Sequence, residues 1–422
     1  MTASPASNPF IVHRRRLDVY AHARATGLDD EAYCQLVAEA DRRLAGTAGI
    51  GFRSTPLVDL DLAPEPGQPG IDGEAGAVVA KIETGSVGGS HKARHLFGLL
   101  LRLLIDDQAG PARSGGGRLG DPPLAIASCG NAALGAALVA ASAERTLRVF
   151  VPTDADPSVL AELERLGAAV TVCARSAGDP PGDPCVVALD DAVERGAAPF
   201  TVQGSRVPEV IDGARTLGLE LAAQLEERGV APARLFVQIG GGALATAVMD
   251  GLARARPGAA PPRLHPVQAD AAHPYLACWR RARSRLLDEA GIADPGTEAA
   301  RAELLARSFE PDRLRAVLAA APDLMVPWPE APRSLATGIL DDVTYDWPTV
   351  MVHQVRSGGW PLTVSEAMLA RAARLAARQV APPPDETGAA GLAGLLTMAA
   401  ECGAGTAPGE VNVVLLTGVR RS

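Results

Sequence analysis

Lysine is almost missing from this 422-residue chain: of 40 basic residues only Lys81 and Lys92 are lysines, and the other 38 are arginines. Arginine serves wherever a fixed positive charge suffices, because its guanidinium is not deprotonated in proteins. A lysine kept against that bias is a candidate for amine chemistry, and Lys92 is the lead. Cysteine is sparse as well. Cys34, Cys129, Cys173, Cys185, Cys278 and Cys402 include no C-x-x-C spacing, which argues against zinc and disulfides and fits reduced thiols in a cytoplasmic setting. The seven histidines show no H-E-x-x-H or His-x-His spacing, so no metal is expected. No apolar run reaches the ~20 residues that span a bilayer. The polar start, with Arg14–Arg16 and no apolar stretch behind it, leads us to expect no signal peptide. With a net charge of -9 and no lysine-rich run, neither nucleic acid nor an anionic membrane is expected as a partner, which leaves a small molecule.

What is present is apolar enough for sizeable cores: 47% of the residues are hydrophobic, and the length allows two domains. Leu17, Tyr20, Leu28, Tyr33, Leu36, Val37, Ala40 and Leu44 have helical spacing, broken at Gly27. Arg53 to Leu57 reads as extended and Ala77 to Ile82 as a strand, with a loop at Pro64 to Gly76. Further loops are expected at Asp106 to Pro123 and Ala177 to Pro184. From Leu124 the pattern alternates. Strands are expected at Leu124 to Ala127, Leu147 to Val151, Ala169 to Cys173, Phe200 to Val202, Leu235 to Ile239, Leu264 to Gln268 and Val411 to Leu416. Between them lie helical stretches at Ala132 to Ala143, Ser158 to Leu166, Val210 to Leu225 and Ala243 to Arg254, with others at Trp279 to Ala320, Ser365 to Gln379 and Gly388 to Ala400. Near-continuous apolar strands alternating with helices predict an α/β fold with mostly parallel sheet covered on both faces.

Ligands of such sheets bind where strand carboxyl ends turn into helices, and four such ends carry suggestive residues. In Gly89-Ser90-His91-Lys92, Ser90 is a plausible N-cap that puts Lys92 in the first helical turn. The positive end of the helix dipole disfavours an ammonium there, and a neutral amine is what imine formation requires. Gly240-Gly241-Gly242-Ala243-Leu244 is a turn whose backbone amides suit a phosphate. The same residues also fit a relaxed dinucleotide pattern, G-x-G-x-x-A, with Asp270 as a possible ribose acid. Ser128-Cys129-Gly130-Asn131, before Ala132, has amides suited to a carboxylate. Thr417 offers a neutral hydroxyl at the end of the last strand.

An imine lysine, a phosphate cradle, an asparagine and a neutral hydroxyl are together the parts that hold pyridoxal phosphate. On these motifs the chain resembles the fold-type II pyridoxal-phosphate enzymes: threonine and serine dehydratases, threonine synthase, cysteine synthase and the tryptophan synthase β chain. Gly89 to Lys92 looks like the family's Gly-Ser-x-Lys segment, Ser128 to Asn131 like Ser-x-Gly-Asn, and Gly240 to Leu244 like its phosphate loop. Gly213, Thr216 and Glu220 look like its Gly-x-x-Thr-x-x-x-Glu helix, and Thr387 to Ala390 like its Ser/Thr-Gly-Ala segment. The resemblance implies a tryptophan synthase β-like fold: two open, mostly parallel twisted sheets flanked by helices, with the active site between domains. It assigns residues 1–88 and 206–422 to a large cofactor-binding domain and 89–205 to a small, mobile substrate-side domain. Lys92 would carry the cofactor as a Schiff base and move the α-proton, with Ser90 beside it. His91 would border the cofactor, Asn131 would bond its phenolic oxygen, Gly240 to Leu244 its phosphate, and Thr417 its ring nitrogen. Ser128 to Ala132 would hold the substrate. A cytoplasmic homodimer acting on an amino acid is expected by the same analogy.

Three departures bear on the site and its reaction. Gly88 stands where many relatives have threonine. His91, where most relatives have phenylalanine, is what the tryptophan synthase β chain has, yet that enzyme's glutamate motif is absent at Ala127 to Asn131. Cys129 stands where serine racemase has a second acid/base serine; a thiol there is either a proton donor or a packing residue. The leading expectation is a lyase performing β-elimination, of the dehydratase or ammonia-lyase type, on an amino acid such as threonine or serine. A β- or γ-replacement synthase is the alternative. An NAD-dependent oxidoreductase, or a silent scaffold with this fold, represents another class.

Overall fold

A computed structural model describes residues 7–62, 76–109, 122–175, 183–329, 332–402 and 409–421. Its ten strands are β1 (Leu57–Asp59), β2 (Ala77–Ile82), β3 (Leu124–Ala127), β4 (Leu147–Pro152), β5 (Ala169–Cys173), β6 (Ala198–Pro199), β7 (Pro232–Gln238), β8 (Arg263–Ala269), β9 (Leu362–Val364) and β10 (Val411–Leu416). They form a six-stranded sheet, ordered β1-β2-β10-β7-β8-β9, and a four-stranded sheet, ordered β5-β4-β3-β6. Only β1 with β2 is antiparallel; the remaining pairs are parallel. By contacts the chain divides into residues 1–54 with 86–216, and 55–85 with 217–422.

In the second of these units, the side chains of each central strand alternate between two cores, as the two-residue period of a strand requires. Val79, Leu235, Val237, Val413 and Leu415 enter one core. Val78, Phe236, Val414 and Leu416 enter the other. Both faces are therefore covered by helices, and the strands read as unbroken apolar runs for that reason. Trp279, Leu286, Leu305, Leu314 and Leu318, from the arginine-rich stretch, are buried in the first of these cores.

The unexpected element of this unit is Lys81. Far from lying on a solvated surface, its side chain is fully buried on β2, with its ammonium 2.8 Å from Glu220 Oε2. It also donates to Thr55 O at 2.6 Å and Gln224 Oε1 at 2.9 Å. Thr55 in turn donates its N–H to Glu220 Oε2 at 3.0 Å and its hydroxyl to Glu83 Oε1 at 2.6 Å. A buried ammonium survives only with such partners.

In the first unit, the helix Asn131–Ser142 is alanine-rich and buried nearly all round, as a helix apolar on every side should be. The helices Lys92–Ala109 and Val210–Glu227 touch backbone to backbone where Gly98 meets Gly213: a Cβ on Gly213 would fall 2.2 Å from Arg94 O. Glycine is obligatory at that crossing. Thr216 follows on the same side and accepts from Arg94 Nη1 at 3.0 Å. The sequence motif Gly213, Thr216, Glu220 is thus a close approach, an arginine acceptor and a lysine counter-ion.

Residues 1–54 group with the Lys92 helix and not, as expected, with 206–422. Phe10, Phe52 and Phe97 explain it, with ring centroids 4.9 to 5.3 Å apart. In addition, the Asp212 carboxylate accepts the N–H groups of Asp18 and Val19 at 2.9 and 2.8 Å.

The strand expected at Phe200 to Val202 is displaced, since pairing with β3 falls at Ala198 and Pro199; a proline, lacking an N–H, is tolerated on this edge strand. The loops expected at Pro64 to Gly76, Asp106 to Pro123 and Ala177 to Pro184 fall largely outside the described residues, although helix continues to Ala109.

The buried pair yields a prediction. Lys81→Met strands Glu220 without its partner and should cost about 3–5 kcal/mol of stability. Adding Glu220→Gln should recover part of that loss, so a double-mutant cycle by denaturant unfolding should give coupling well above about 0.5 kcal/mol. Strictly additive losses would mean that the pair does not act as a unit.

Candidate active site

Lys92 opens the helix Lys92–Ala109 and is half-buried. Ser90, two residues before it, is extended (φ -163°, ψ 169°), and its Oγ accepts the Lys92 N–H at a long 3.4 Å, the first helical N–H and not the second or third that a capping side chain takes. Gly88 and Gly89 both have positive φ, 69° and 71°, which strains any side chain there, and a Cβ on Gly88 would fall 3.1 Å from Leu138 Cδ1.

His91 is 6% exposed, and neither ring nitrogen has a partner among the described residues. Burial, and then the neighbouring charge of Lys92, hold its pKa well below the ordinary 6.5, so the ring is neutral. His95, one turn on, lies edge-on to it at 5.7 Å. Its Nδ1 meets Val210 O at 3.1 Å, and burial, followed by Lys92, pushes its pKa down to about 3.

The turn Ser128, Cys129, Gly130 leads from β3 into the helix Asn131–Ser142, whose N-terminus no side chain caps. All three turn residues and Asn131 are half-buried, and Ala132 is buried; Cys129 is in no disulfide and lies in the turn, outside the core. This helix crosses the first turn of the Lys92 helix, since a Cβ on Gly135 would fall 3.2 Å from Ala93 N. Ser90, His91, Lys92 and residues 128–132 are thereby gathered on two packed helices of one unit.

The other unit gathers the remainder. β7 ends at Gln238 and turns through Gly240, Gly241 and Gly242 (φ 101°) into Ala243–Ala255, a helix that no side chain caps. The turn is walled closely. A Cβ on Gly240 would lie 2.3 Å from Asp341 Oδ2, and one on Gly242 would lie 2.9 Å from Val350 Cγ2. Asp346 donates its N–H to Gly241 O at 2.7 Å. On the neighbouring strand Thr417 follows the end of β10 and is 2% exposed; Gln238 Nε2 donates to its Oγ1 at 2.6 Å.

The sequence profile of the pyridoxal-phosphate-dependent enzymes matches residues 50–418. The chain belongs to that family. Its cofactor is pyridoxal 5'-phosphate, and the dinucleotide reading of Gly240 to Ala245 falls away. A search of curated sequences returned no match. Among solved structures, similar folds include a threonine deaminase from T.th., 25% identical with a TM-score of 0.59, over 92% of this chain and 98% of that one. The processed threonine deaminase isoform 2 of Solanum lycopersicum is 16% identical, TM-score 0.60, over 94% and 92%. The diaminopropionate ammonia lyase of Escherichia coli is 16% identical, TM-score 0.61, over 91% and 88%.

The residues present fit the family's cofactor. A side-chain-free turn opening an uncapped helix of 13 residues suits a phosphate. His91 has two buried ring nitrogens in want of partners, and Thr417 supplies a neutral hydroxyl. Asp341, which sequence reasoning missed, sets a carboxylate against Gly240, a charge that opposes any anion the turn's amides would hold. Gln238 was missed too, and its one signal was a polar residue ending an apolar strand. Among the described residues no group of three potential ligands could hold a metal, and no helix is long and apolar enough to cross a membrane.

His95 makes a pH prediction. Its folded pKa, near 3, lies below the unfolded value, so the unfolded chain binds its proton first. The stability this neutral ring contributes is present above pH 6.5 and is lost as pH falls toward 3, at up to about 1.4 kcal/mol per pH unit. Compared with His95→Asn, the wild-type protein should lose stability faster between neutral pH and about pH 4.5, measured by urea unfolding. Parallel curves would show that His95 is not neutral in the fold.

Proposed function

We propose that this enzyme is a lyase that removes a β-substituent from a small amino acid of the serine, threonine or diaminopropionate type, releasing the oxo acid and ammonia. The observation that carries this reading is the neutral setting of Thr417, whose Oγ1 accepts from the Gln238 amide. When bound, the cofactor supplies the electron sink that makes the α-carbon acidic. A hydroxyl, unlike a carboxylate, does not fix a proton on the ring nitrogen, which keeps that sink weak and favours expulsion of a leaving group over transamination.

In this reading the Lys92 amine carries the cofactor and exchanges the α-proton, and Ser90 orders the backbone that bears it. Backbone amides of residues 128–132 hold the substrate carboxylate at the uncapped helix start, with the Cys129 thiol at the edge of that turn. Asn131 bonds the phenolic oxygen, His91 borders the cofactor, and the amides of Gly240 to Leu244 hold the phosphate. Structural relatives named threonine deaminase, diaminopropionate ammonia lyase and L-serine ammonia-lyase support the choice of elimination.

The test is a screen of serine, threonine and 2,3-diaminopropionate, with and without added thiols and amines, reading oxo acid and ammonia. Oxo acid should form with no nucleophile present, and Lys92→Ala should lower the rate by about 10²–10⁴-fold or more. Turnover that appears only when a nucleophile is added would replace this reading with β-replacement.

A further inference from the structure

We propose that Gln238 is a positioning residue that turns the Thr417 hydroxyl into a hydrogen-bond donor, so that the cofactor's ring nitrogen is met by a donor and stays unprotonated. This rests on the reading that Thr417 meets that nitrogen.

Gln238 is the last residue of β7 and is 4% exposed. Its Nε2 has three acceptors in reach: Thr417 Oγ1 at 2.6 Å, Gly388 O at 3.2 Å and Leu415 O at 3.4 Å. Two of the three are backbone carbonyls, which only accept, so the amide has its nitrogen on this side; a flipped amide would face them with oxygen. The orientation has a cost. Gln238 Oε1 is left buried with no partner among the described residues, above Gly391, where a Cβ would fall 3.0 Å away. An orphaned buried acceptor calls for an explanation, and the group on the amide's other end supplies it.

A hydroxyl has one proton. Because an amide nitrogen cannot accept, the short contact is Gln238 donating to Thr417, and the threonine proton has to go elsewhere. No acceptor for it is found among the described residues, so it is available to a ligand at the end of β10. A carboxylate at position 238 would reverse this: the proton would turn to the carboxylate, and Thr417 would present a lone pair that stabilises a protonated ring. Residue 238 therefore sets the protonation state through Thr417 without touching the ring.

The experiment reconstitutes the full-length protein with pyridoxal phosphate labelled at the ring nitrogen. It follows the nitrogen NMR signal of the resting holoenzyme across neutral pH, beside circular dichroism and cofactor titration. Wild type should show an unprotonated nitrogen throughout. Gln238→Glu should move the signal toward a protonated ring, and Gln238→Leu, which frees the hydroxyl to rotate, should give a signal that titrates with pH. Should Gln238→Glu fail to bind cofactor, Gln238→Leu decides. If both variants match wild type while Thr417→Val shifts the signal, Gln238 has no such role although Thr417 does meet the ring. If Thr417→Val also leaves it unchanged, the reading of Thr417 fails and takes this inference with it.

Discussion

A buried ammonium organises the larger sheet. Lys81 sits on β2 with no exposure, and removing it from water is tolerable only because Glu220, Gln224 and Thr55 all turn toward it. The consequences run along the bonds. Thr55 is fixed between Glu220 and Glu83, and the Glu83 N–H donates to Leu416 O at 2.7 Å. Leu416 is the last residue of β10, so Thr417 leaves the sheet from a strand end that the lysine network pins.

The same sheet end is built with unusual economy of side chain. Gly388 approaches Gly418 so closely that a Cβ would fall 2.5 Å from its backbone nitrogen, and Gly388 O accepts both the Thr417 N–H at 3.2 Å and the Gln238 amide. Three glycines turn β7 into its helix beside it. Among the polar side chains at this end, Gln238 and Thr417 bond to each other at 2.6 Å. The role inferred for Gln238 depends on that bond, since a hydroxyl free to rotate would be donor and acceptor by turns.

Much of this was legible in the sequence. β2, β3, β5 and β10 fall at the expected residues because unbroken apolar runs between helices have few other uses. The Ser90–Lys92 segment, the Asn131 turn and the glycine turn are contiguous in sequence, and the structure places each at the start of a helix, as expected. What was missed depends on distant partners. Lys81 pairs with Glu220 across 139 positions, and Gln238 meets Thr417 across 179, which no local pattern announces. β1 and β9 are three residues each, too short for alternation to register. The grouping of residues 1–54 rests on Phe10 and Phe52 against Phe97 and on Asp212 accepting from Asp18 and Val19, partners that lie far apart in the chain.

The rarity that singled out both lysines thus has two separate readings: Lys81 is held in a buried network, and Lys92, in the function proposed, supplies a reactive amine. The direct test is to load the protein with pyridoxal phosphate, reduce it with borohydride, digest it and locate the fixed cofactor by mass spectrometry. The account predicts a single modified peptide carrying Lys92. Cofactor on Lys81, or on no lysine at all, would contradict it.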